Sequence, residues 1–180
     1  MAQFDDMTSH MLNPVKGWPS PTALDFAAPI ASGVTVVAGM CCSLNSSGAL
    51  ILGTVRHRMG LFAIQGNESF DVAVGLTSGI SGYAAINPSG KINCLVASGS
   101  YELETTEFDT AQTYLPNEPL RAGTDGKLTN QSVVLFSQND SPQTSSTAVV
   151  GIVSRGKRTN AYGKSVLTFW TVWAPGRSTE

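Results

Sequence analysis

KSVLTFWTVWAP, Lys164 to Pro175, places a phenylalanine and two tryptophans within five residues of a chain that is only 8% aromatic. In an extended strand successive side chains point to opposite faces. Val166, Thr168, Trp170 and Val172 then share one face, and Leu167, Phe169, Thr171 and Trp173 the other. Neither face carries a charge. A strand half-buried in an open sheet alternates apolar with charged or amide residues, so this one calls for cover on both sides. One cover is the chain's own core. The other is either a further layer of the same domain or a partner subunit. Because helices that could build a third layer are scarce, the expectation is that a neighbouring subunit covers at least part of the second face.

The same grammar runs through the rest of the chain. Short apolar runs broken by Gly, Ser and Asn recur as GVTVVA, MCCSL, GALILG, GLFAIQ, FDVAVGL, KINCLVAS, QSVVLF and TAVVGIVS, and each reads as a strand. Asn45–Ser46–Ser47–Gly48 and Asn87–Pro88–Ser89–Gly90 share a turn chemistry in which Asn opens the turn and Gly takes a positive φ, which predicts two tight hairpins. GTDGKLT reads as a further turn, and the polar run Ser137 to Thr147 as an exposed loop. YELETTEFDTAQTYLPNEPL, residues 101–120, spaces Phe108, Ala111, Tyr114 and Leu115 as a short helix would. The sum is an all-β fold, a sandwich or barrel of about ten short strands with at most one short helix.

Residues 1–29 stand apart: Pro14, Pro19, Pro21 and Pro29 punctuate them and no hydrophobic period is sustained. They read as an extended N-terminal arm preceding a single β domain at residues 30–180. Phe4, Met7, Met11, Leu12 and Trp18 are spaced along the arm as apolar anchors for a partner surface, and Trp170 and Trp173 are the matching candidates in the domain. The alternative, that the arm wraps its own domain and covers a sheet edge, stays open at this point.

Composition narrows the class. Of 180 residues, 42% are hydrophobic and 13% charged, where roughly 25% charged is usual. The surface must therefore be built from Ser, Thr, Asn, Gln and Gly, which suits a structural or secreted β protein better than a cytosolic helical enzyme. A formal net charge of −2 gives no electrostatic reason to expect a nucleic-acid partner. No apolar run approaches the roughly 18 residues of a membrane span. The N-terminus shows no basic start followed by an apolar stretch, so synthesis in the cytoplasm without such a signal is expected.

Reactive chemistry is thinly represented. Cys41, Cys42 and Cys94 are odd in number, and adjacent cysteines in a strand face opposite ways, so they read as buried hydrophobes rather than a disulfide framework. His10 and His57 sit in no metal-ligand motif. Glu102, Glu104, Glu107 and Asp109 form an acidic cluster in which Glu102 and Glu104 share a strand face. It reads as a solvated surface, with a carboxylate pair or a calcium site as the sharper alternatives. Arg56, His57 and Arg58 read equally well as a binding spot for a phosphate or a partner carboxylate and as an exposed turn, and SRGKRTN, Ser154 to Asn160, reads as a basic hairpin loop without the ending of a phosphate-binding loop. No Gly-x-Ser-x-Gly elbow occurs. No enzymatic activity and no cofactor are expected.

Taken in order, the extended arm, ASGVTVVAGMCCSLNSSGALILG, GLFAIQG and VVGIVSRGKRTNAYGKSVLTFWTVWAP resemble virion structural proteins of tailed bacteriophages, and among them most the small capsid decoration, or cement, proteins. The resemblance extends over most of the chain and rests on strand-and-turn grammar. It implies a β-rich protein on the outer capsid surface of the virion, made in the host cytoplasm, that assembles as a trimer or dimer and clamps neighbouring subunits of the major capsid protein. A receptor-binding or tail-associated β module is the main rival, and a hydrolase the third reading.

Overall fold

The computed structural model describes residues 10–16, 26–54, 59–64, 66, 91–98, 101–131, 134–135, 145–146, 148–161 and 163–174. Within them the chain is all-β and no helix is present. The strands are β1 (Leu12–Lys16), β2 (Phe26–Pro29), β3 (Cys41–Leu44), β4 (Leu50–Leu52), β5 (Leu61–Ala63), β6 (Lys91–Val96), β7 (Glu102–Thr105), β8 (Pro119–Ala122), β9 (Leu128–Thr129), β10 (Val134–Leu135), β11 (Ser145–Ser146), β12 (Val149–Thr159) and β13 (Ser165–Ala174). A six-stranded sheet has the order β1-β7-β13-β12-β8-β9 and a five-stranded sheet the order β2-β6-β5-β3-β4, while β10 and β11 pair as a short ribbon. Every strand pairing is antiparallel. Neither large sheet closes into a barrel.

The opening stretch is β13, third of the six strands in its sheet. Its Leu167 and Phe169 enter the main core with Leu103 of β7, Leu120 of β8 and Phe62 of β5, so this core lies between the two sheets. Phe62 and Phe169 meet across it with ring centroids 5.2 Å apart. Alternation places the next residue of each strand on the opposite face. Cys41 accordingly joins the main core, whereas Cys42, Leu50, Leu61, Ala63 and Cys94 form a second apolar cluster on the far side of the five-stranded sheet.

GVTVVA, expected as a strand, helps cover that second cluster as a looped segment. Ala31 and Val37 each accept a hydrogen bond three residues on, from Val34 and Met40, and these turns break the extended conformation while leaving Val36 fully buried. The helix expected within residues 101–120 is replaced by β7 and turns. Asp109 Oδ1 accepts from the Ala111 amide at 3.0 Å. This side-chain bond competes with helical pairing. Of the four residues with helical spacing, Phe108 and Tyr114 pack edge-to-face in the core, and Ala111 and Leu115 are exposed.

Two turns form as their chemistry indicates. Asn45 Oδ1 accepts from the amides of Ser47 and Ala49, and Gly48 takes φ +75°, closing the β3–β4 hairpin. The GTDGKLT turn closes through the Gly123 amide on the Lys127 carbonyl at 2.8 Å. The Asn87–Gly90 turn and the FDVAVGL strand lie outside the described residues.

The segment expected to be an arm contributes to both sheets. β1 pairs with β7, Leu12 opposite Thr105, and β2 pairs with β6, Phe26 opposite Cys94. Among the described residues the sheets therefore begin at Leu12 rather than at residue 30. Proline does not prevent this, because each strand is an edge bonded to one named neighbour, a position that tolerates a missing amide hydrogen. SRGKRTN is also largely strand: residues 154–159 continue β12, and the hairpin turns at Asn160 to Gly163.

Candidate partner-binding face

The outer face of the six-stranded sheet is where the unusual residues of β13 meet solvent. Val166 and Thr168 lie on that face by alternation, yet both are fully buried. Their cover includes side chains from the two flanking strands. Thr168 lies opposite Glu104 of β7, and Val166 opposite Arg158 of β12. Arg158 Nη2 bonds Glu104 Oε2, so this ion pair spans from β12 to β7 over β13. A second strap crosses one register row away: Glu102 Oε1 accepts from Ser154 Oγ at 2.5 Å and lies 3.5 Å from Arg155 Nε.

The second strap depends on an irregularity in β12. Opposite β13 the register moves from Val153↔Phe169 to Gly156↔Thr168, so Ser154 and Arg155 are extra residues bulged out of the ladder. Such bulges bend a strand and re-aim its side chains. Gly156 closes the bulge at φ +71°, where a Cβ would lie 2.9 Å from the Tyr114 carbonyl oxygen. Glycine alone meets both demands without strain.

Further along β13 the cover ends. Trp170 and Trp173 are each 38% exposed. Trp170 stands in register with Ile152 of β12, which in turn faces Pro119 of β8, so an aromatic, an aliphatic and a proline side chain form one row across three strands. Trp173 follows three residues later, about 10 Å along the strand. A register shift between Gly151↔Thr171 and Val149↔Ala174 turns that end of β13 out of simple alternation with the core. Nearby on the rim, Glu118 accepts from the Leu115 amide and from Asn130 Nδ2, both at 2.9 Å, and these bonds hold its carboxyl below the ordinary value.

The other expected partner-binding residues do not join this face. Leu12 is in the main core. Met11 is half-buried at the opposite end of the sheet row, its amide donating to Thr106 Oγ1 and its sulfur accepting from Asn160 Nδ2. Phe4, Met7 and Trp18 lie outside the described residues, as do Arg56, His57 and Arg58 and most of Ser137 to Thr147.

The acidic cluster is not the solvated surface expected of it. Glu102, Glu104 and Glu107 are all buried, the first two under their arginines and the third bonded to His10 Nδ1 at 2.7 Å and to Thr106 Oγ1 at 3.0 Å. Glu107 and Asp109 line an open cleft of about 430 Å³ together with His10, Asp125 and Lys127. Among the described residues no group of three or more His, Cys, Asp or Glu is arranged to hold a metal ion. Sequence reasoning found the acidic and basic runs separately and missed their pairing. They are about fifty positions apart, |i−j| 52 for Glu102 and Ser154 and 54 for Glu104 and Arg158, and only the β7-β13-β12 order brings them together. Comparisons with protein-family models, with curated proteins and with solved structures find no match.

Proposed function

We propose that this chain is a non-enzymatic structural protein of a bacteriophage virion that binds the outer capsid surface and cements neighbouring subunits of the major capsid protein, itself assembling as a dimer or trimer. The observation that carries the reading is the pair of partly exposed tryptophans on β13, Trp170 in one row with Ile152 and Pro119 and Trp173 three residues further on. Tryptophan is among the residue types most enriched at interface positions whose truncation matters, and a strand held in a sheet presents it at low conformational cost. The strand-and-turn resemblance supplies the kind of partner.

The test uses capsids prepared without the protein. Purified full-length chain should bind them and appear by cryo-electron microscopy as density on the outer shell. Trp170→Ala and Trp173→Ala should each remain folded and weaken binding by roughly 30-fold, the equivalent of about 2 kcal/mol. Density on a tail would favour a tail-associated module instead. Wild-type binding by both variants would remove this face from the interface.

A further inference from the structure

We draw no further inference here: the strongest candidate, the open cleft in which Asp109, Asp125 and Lys127 surround the buried Glu107, is an acidic cluster whose buried carboxylate is already bonded to His10 and Thr106, and nothing in the structure points to a ligand that fills it.

Discussion

Arg158 and Glu104 are unequal partners in their strap. The glutamate side chain is 7% exposed and the arginine 47%. Removing the arginine strands a buried carboxylate, whereas removing the glutamate leaves a guanidinium that water can solvate. Arg158→Ala should therefore cost about 1–3 kcal/mol, less than the 3–5 kcal/mol of a fully buried pair because half of the arginine is already wet. Glu104→Ala should cost less than Arg158→Ala. Urea unfolding of both variants measures the order, and the reverse order would mean that the carboxylate does not depend on this arginine. A second effect comes from the thiols. Burial pushes Cys42 up from 9.0 to about 12, and raises Cys41 and Cys94 as well. A thiol whose pKa is higher in the folded state keeps its proton there and releases it on unfolding. Its contribution to stability is complete below the free-thiol value and is lost as pH rises from there through the folded value. Denaturant midpoints measured from pH 7 to 11 should fall above about pH 9 in the wild type, and fall less in a Cys42→Ala, Cys94→Ala double variant. At pH 8 a thiol reagent should label the native chain far more slowly than the denatured one.

At the scale of single elements, β1 and β2 change what truncation does. A chain starting at Ala31 loses an edge strand from each large sheet, and with β1 it loses Leu12 from the core. The melting temperature of that chain should drop by about 5–10 °C, the shift that a loss of about 2–3 kcal/mol produces in a domain near this size. Melting at the wild-type temperature would show that neither strand contributes to the fold. The same two strands mark the limit of what the sequence discloses. β13 is legible because eight consecutive positions, Val166 to Trp173, alternate between two faces without a charge, and the Asn45–Gly48 hairpin because its chemistry is local. β1 is hidden: LNPVK has five residues, a proline and no period, and what makes it a strand is the open edge of β7 some ninety positions later. The second cover of β13 was hidden for a related reason. Alternation indicates that a face is covered, but not that side chains of the neighbouring strands, tied by the Arg158–Glu104 ion pair, lie over Val166 and Thr168 where a third layer or a partner was expected. The partner half of that expectation survives only at Trp170 and Trp173, and only as a proposal.

For the molecule as a whole, the sheet edges constrain how a partner can attach. β1 has Pro14 and Lys16 with a register shift between them, and β2 ends at Pro29. The outer sides of β4 and β9 are met by bridges from Ile30 to Leu50 and from Phe108 to Leu128. Prolines, lysines and irregular register are the usual means by which a sheet discourages strand addition. A partner is thereby directed to a face. Lys16→Val, which removes the charge from an exposed edge position, should leave the melting temperature within a degree or two while raising light scattering on prolonged incubation. Unchanged scattering would mean that the proline and the bulge protect that edge unaided.

The place of β13 in its sheet also sets a clock for synthesis. Its neighbours β7 and β12 precede it in the chain, but β7 bonds only to β1 until Ser165 to Ala174 arrives to fill the gap. The β1–β7 pair therefore joins β12, β8 and β9 in the six-stranded sheet only once β13 has been made. Until then Leu103, Val153 and Phe62 have no Phe169 or Leu167 to pack against, and apolar surface stands open to other chains. The protein's yield in a cell will depend on how well the nascent chain is shielded in the interval between the synthesis of β7 and that of β13.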